Sequence, residues 1–213
     1  MTEHSVFQTL YETYPKLRGC EADIAAAYGL LKTAAERRAL LMVCGNGGSA
    51  ADCEHITGEL MKGFNLKRPL SPAERAKFDA IDGGAEIAGK LQGAIRCVSL
   101  ASQVGVISAF ANDIDPSLVY AQQVWGYAAS PDDVLIALST SGNSLNVVNA
   151  AKTAKAAGIK TVALTGEHDS KLSALCDVTV KLPAHTPFEV QEFTLPVYHA
   201  LCAALEAALF TAY

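Results

Sequence analysis

The sequence predicts an α/β fold built on a parallel sheet, and three observations lead there. Short continuous apolar runs recur along the chain, segments with helical apolar spacing separate them, and the turns that close several runs are rich in Gly and Ser. Strands that alternate with helices imply right-handed crossovers and a parallel sheet covered on both faces. Ligands of such sheets bind at the carboxyl ends of the strands.

The elements follow in order. Apolar spacing predicts helices over about residues 6–14 and 20–38, the second with Ile24, Ala27, Leu30, Leu31 and Ala34 on one stripe. This stripe precedes the sheet and is expected to need a partner surface, which suggests a symmetric oligomer. ALLMVC (39–44) is the first buried strand, followed by GNGG and a helix expected to start at Ser49. IRCVSL (95–100), VLIALS (134–139) and TVALTG (161–166) repeat the cycle, and DVTVKL (177–182) is the last strand. One stretch, about 64–93, breaks the rhythm and reads as an insertion. Within it Ser71, Pro72 and Glu74 form an N-cap, an N1 proline and a capping-box partner. They predict a helix from Pro72 to Ile81, with Gly83 and Gly84 as its stop. The whole of 1–213 is expected to be one domain, with residues 1–38 as added N-terminal helices.

Composition narrows the partners. Of 213 residues 18% are charged, and the net charge of -5 offers no basic surface to nucleic acid or anionic membranes. The six cysteines form no CxxC pair and most lie in apolar runs, as buried thiols of a reducing compartment do. No apolar run approaches the roughly 18 residues of a membrane span, and the amino terminus lacks a leader pattern. A cytoplasmic enzyme of small molecules is the expectation.

Two loops carry the chemistry. Gly45-Asn46-Gly47-Gly48-Ser49 joins a strand to a helix, where glycine lets the backbone approach an anion and free helix N–H groups favour phosphate. It is neither a GxGxxG fingerprint nor a Walker loop. Ser139-Thr140-Ser141-Gly142-Asn143-Ser144 has the same setting and adds hydroxyls. If the two strands are close in the sheet, the loops share one crevice and can hold a phosphomonoester without arginine. His55 and Glu59 stand four residues apart on the helix after the first loop, hence on one face. Gln191 and His199 lie about 80° apart around the terminal helix. Each pair alone is compatible with an ordinary solvated or core position.

CGNGGSA, LSTSGNS and VQEFTLPVYH together resemble the sugar isomerase (SIS) family and, within it, the phosphoheptose isomerases, from about Leu30 onward apart from the insertion. The resemblance implies a flavodoxin-like three-layer sandwich and a homotetramer with active sites between subunits. It implies conversion of sedoheptulose 7-phosphate to D-glycero-D-manno-heptose 7-phosphate, the entry to heptose for cell-surface polysaccharide such as lipopolysaccharide. It places a zinc ion among His55, Glu59, Gln191 and His199, a donor set that suits a borderline divalent ion. Glu59 becomes the base at carbon and His199 its acid/base partner, with Glu59 able to be ligand in one state and base in another. Asn46, Gly47, Gly48, Ser49, Ser139, Thr140, Ser141, Ser144 and Gln191 become substrate contacts, joined by Asn112 and Asp113. Gly58 and Gly63 depart from the family pattern, the first where a second acidic residue is common and the second where a basic one is expected, so Lys62, Lys67 or Arg68 is expected to supply the charge. The competing reading is a non-catalytic tetrameric scaffold of the same fold that binds a replication initiator. The histidine at 199 speaks against it. Transcription regulators of this fold add a DNA-binding domain, for which 213 residues leave no room.

Overall fold

The computed structural model describes residues 2–210. Five strands form one parallel sheet: β1 (Leu41–Cys44), β2 (Cys97–Ser99), β3 (Val134–Leu138), β4 (Lys160–Gly166) and β5 (Val178–Leu182), in the order β2-β1-β3-β4-β5. This is the flavodoxin-like order, and the chain changes direction across the sheet between β1 and β3.

Strand residues alternate between two apolar layers. Leu41, Val43, Val134, Ile136 and Leu138 face α1 (Glu3–Thr13), α2 (Glu21–Glu36), α3 (Gly48–Met61) and α10 (Pro187–Leu209). Met42, Cys44, Leu135 and Ala137 face α7 (Val119–Tyr127), α8 (Leu145–Ala156) and α9 (Lys171–Leu175). Period-two strands covered on both sides have to be apolar throughout, which is why β1 and β3 read as unbroken hydrophobic runs. All six cysteines are free thiols, and none of the described helices is long and apolar enough to cross a membrane.

Three expectations need correction. Ser71 and Glu74 do form the capping box, but α4 spans only Pro72–Ala76, and α5 (Gly84–Lys90) follows. Gly83, at φ +68°, is the N-cap of α5, so the two glycines start a helix rather than stop one. The left-handed conformation that ends a helix serves here to enter one. The stripe of α2 is also not free: Ile24, Ala27, Leu31 and Ala34 are buried within the chain, where α2 packs on α10 and β5. Unpartnered apolar surface lies instead on α6 (Val104–Asp113), which buries no residue and exposes Val104 and Val106, with Ile114 just beyond it. Finally, α3 opens at Gly48 with Gly47 as its N-cap, and Ser49 makes no capping bond. Gly47 adopts φ +57°, a backbone that only glycine takes without cost, and this turns β1 directly into the helix.

Candidate active site

The two loops meet as their composition predicts, because β1 and β3 pair directly. Asn46 and Asn146 exchange side-chain amide bonds of 2.8 Å in both directions, tying the first loop to the start of α8. Beneath, the buried Tyr120 hydroxyl donates to Gly45 O at 2.6 Å. The amides of Ser49 and Ala50 turn back onto Asn46 O and Gly47 O, while those of Gly47 and Gly48 have no backbone acceptor among the described residues. Free amides at a helix amino terminus are what an anion needs. In the second loop Gly142 takes φ +63° and donates to Ser139 O. Ser139 Oγ donates to Ser144 Oγ at 3.1 Å, and Ser141 Oγ accepts from Asn143 N. Thr140 O accepts from Gly166 N, which anchors this loop to the end of β4. Hydroxyls and amides from both loops therefore converge at the carboxyl edge of adjacent strands.

Gln191, from α10, lies against the first loop. A Cβ on Gly48 would stand 2.6 Å from Gln191 Nε2, so glycine is what admits the amide. The other three expected ligands lie about two helical turns further along α3, with His55 between Glu59 and His199. His55 Nε2 is 3.3 Å from Glu59 Oε1 and 3.4 Å from His199 Nε2. Ligands at about 2.0–2.1 Å from a tetrahedral zinc stand about 3.3 Å apart along each edge. The two edges at His55 match, while Glu59 and His199 stand on opposite sides of it, and the three ligand atoms do not all lie within 4.8 Å of one another.

Tyr198 lies behind His55: its Oη donates to Asp52 Oδ1 at 3.2 Å and stands 2.9 Å from His55 Nδ1. On the other side of the ring, His55 Nε2 faces a carboxylate oxygen and a second imidazole. Burial, and then the neighbouring His55, lower the pKa of His199 against the opposing pull of Glu59, which keeps the ring neutral and able to coordinate. The donor types suit zinc, but as placed one ion does not reach all of them, and Glu59 or His199 has to turn toward His55 to share it.

Asp52 and Tyr198 were not singled out in the sequence. Asp52 sits three residues before His55 on the same helix face, and that spacing is the signal that could have found it. Tyr120 and Asn146 lack any local signal. Asn112 and Asp113 sit exposed in the last turn of α6, where Asn112 Nδ2 donates to Asp113 Oδ1, and they make no hydrogen bond to either loop. Of the expected cations, Lys62 pairs with Glu59 Oε2 at 3.1 Å. Arg68 is wholly buried against Glu206 and cannot reach a ligand, which corrects that expectation. Gly63 N donates to Gln92 Oε1, which ties the end of α3 to the strap of residues 64–93 that follows it.

Known proteins resemble this chain. A family model for the SIS domain matches residues 91–166. The phosphoheptose isomerase of Rhodospirillum rubrum is 32% identical over 202 residues, covering 95% of this chain and 94% of that one. That of Maridesulfovibrio salexigens is 33% identical over 207 residues, covering 97% and 86%. The solved structure of a phosphoheptose isomerase from Neisseria gonorrhoeae superposes with a TM-score of 0.73 at 24% identity, covering 96% of each chain, and shares the fold.

Proposed function

The chain belongs to the phosphoheptose isomerase family and is a sugar-phosphate isomerase, and we propose that it interconverts sedoheptulose 7-phosphate and D-glycero-D-manno-heptose 7-phosphate through an enediolate. The observation that carries this reading is the grouping of Glu59 and His199 around His55, at 3.3 and 3.4 Å, on the helix that starts at the double loop. Along α3, seven residues separate Gly48 from His55, a rise of roughly 10 Å. A ketose phosphorylated at its far end holds carbons 1 and 2 several bonds from phosphorus, which suits that separation.

In this reading the amides of Gly47 and Gly48, with Asn46, Ser49, Ser139, Thr140, Ser141 and Ser144, seat the phosphate. Gln191, over Gly48, orients the sugar hydroxyls next to it. Glu59 moves the proton between carbons 1 and 2, and His199, kept neutral by burial, exchanges the oxygen protons. Lys62 and His55 flank the Glu59 carboxylate from two sides. Zinc, for which His55, Glu59, His199 and Gln191 would serve as ligands once their side chains turn toward one ion, would polarise the carbonyl and steady the enediolate oxygens. Asn112 and Asp113 complete the site from a neighbouring subunit in a homotetramer, for which the exposed apolar surface of α6 is the support. Free thiols that are mostly buried and a phosphorylated substrate support a cytoplasmic location, and the heptose product supports a place in lipopolysaccharide synthesis.

Incubation with sedoheptulose 7-phosphate in D2O tests the reaction. The aldose should accumulate in the NMR spectrum with deuterium at carbon 2, and zinc should copurify. Absence of both aldose and exchange in a zinc-loaded sample would overturn the proposal.

A further inference from the structure

We propose that Glu167, His168 and His185 form a second site for a borderline divalent transition metal, separate from the His55, Glu59 and His199 group. Among the described residues they are the one group of three His, Cys, Asp or Glu whose ligand atoms all lie within 4.8 Å of one another. No role in the reaction above uses them.

The fold brings them together by register. β4 and β5 are neighbours that end side by side, with Gly166 opposite Leu182. Glu167 and His168 follow β4 at once, and His185 lies between the end of β5 and the start of α10. Glu167 N donates to Ala184 O at 3.3 Å, so the two connections are tied by backbone next to the side chains themselves. On the other side of His185, Thr186 and Glu189 close a capping box, with Thr186 Oγ1 donating to Glu189 Oε2 at 2.6 Å. That fixes where α10 starts and occupies the Glu189 carboxylate. Asp169, the remaining acidic neighbour, is paired with Lys181.

Distances and donor chemistry then select the ligand. His185 Nδ1 lies 3.3 Å from His168 Nε2 and 3.1 Å from Glu167 Oε1. Both match the edge of a tetrahedron of zinc ligands, about 3.3 Å. Without an ion, one N–H on His185 serves at most one of these two neighbours well, and the other meets it lone pair to lone pair or proton to proton. A cation at the centre satisfies all three. Two imidazoles and one carboxylate suit Zn²⁺, Co²⁺, Ni²⁺ or Cu²⁺, whereas Mg²⁺ and Ca²⁺ prefer sets of oxygens. All three residues are exposed, so a fourth position stays open to water or to an oxygen of a ligand. The ion would tie the end of β4 to the start of α10, the helix that carries Gln191 and His199.

Cobalt titration of chelator-stripped full-length protein tests this independently of the isomerase reading. In a His55→Gln, His199→Gln background the expected result is one tight Co²⁺ equivalent per chain, with the visible absorption of a tetrahedral or five-coordinate ion and displacement by Zn²⁺. Adding His168→Gln or His185→Gln should weaken that equivalent at least tenfold, and Mg²⁺ should not compete. Circular dichroism of each variant confirms that these exposed substitutions leave the fold unchanged. The same Co²⁺ affinity with and without His168 and His185, or no bound equivalent in the background, would overturn the site.

Discussion

Glu59 and Glu206 are both carboxylates on helices next to a cation, and their surroundings differ in kind. Glu206 is buried at 1% exposure and meets fixed donors: Phe64 N and Arg68 Nε at Oε1, Asn65 N and Leu66 N at Oε2, all within 3.0 Å. Glu59 receives no backbone amide. Its oxygens face His55 and the exposed side chain of Lys62, partners that can rotate away or give up a proton. A carboxylate surrounded by backbone is locked into one charge state, and one held by side chains can exchange partners during a reaction. The two are also linked. Arg68, after pairing with Glu206, donates to Leu60 O and Glu59 O, so the locked carboxylate closes the end of α3 and fixes the backbone from which Glu59 projects.

The comparison breaks most directly at Glu59. Glu59→Gln should lower turnover of sedoheptulose 7-phosphate by about 10²–10⁴-fold with little change in thermal midpoint, and His199→Gln should do likewise. Turnover followed by NMR, with melting in parallel, checks this. Near-normal activity in either variant would end its assignment.

Next in size is Glu206→Gln, which leaves the Arg68 guanidinium buried without its counter-charge and should cost about 3–5 kcal/mol in urea unfolding. An unchanged midpoint would mean that the strap and the end of α3 do not depend on this pair. The double substitution Ser49→Ala, Ser141→Ala should cost roughly 1.5–3 kcal/mol for each lost hydroxyl bond to phosphate, read as weaker binding by calorimetric titration. Unchanged affinity would remove the hydroxyls from the phosphate seat.

The smallest effect sharpens the contrast by pH. Burial alone would raise the pKa of Glu206, but the amides of Phe64 and Asn65 and the Arg68 guanidinium reverse this and hold it below the ordinary glutamate value. A lowered folded-state pKa adds stability that is complete above the unfolded value of about 4.3 and is lost as pH falls through the folded one. Unfolding free energy should therefore fall below about pH 4 more steeply in the parent than in Glu206→Gln. Parallel curves would show that Glu206 titrates normally.

Much of this molecule follows from local pattern. The strands, the main helices and both loops were legible because an apolar run, a helical stripe and a glycine at a strand end each state their preference within a few residues. The family motifs added His55, Glu59 and His199, and the fold sets Glu59 and His199 at 3.3 and 3.4 Å from His55. Where α4 ends, and that Gly83 opens α5, depended on how the strap lies on the body of the chain, so local capping signals placed the start and missed the stop.

What the sequence determined by itself is the succession of buried parallel strands and polar turns, since backbone hydrogen bonding and side-chain burial have short, regular periods. Only the tertiary structure decided which polar side chains meet. Tyr198 and Asp52 are 146 residues apart, and Arg68 and Glu206 are 138 apart. His185 meets Glu167 and His168 only because β4 and β5 end together in the sheet. Bonds of this kind depend on chain segments packed from afar, and no local period encodes them.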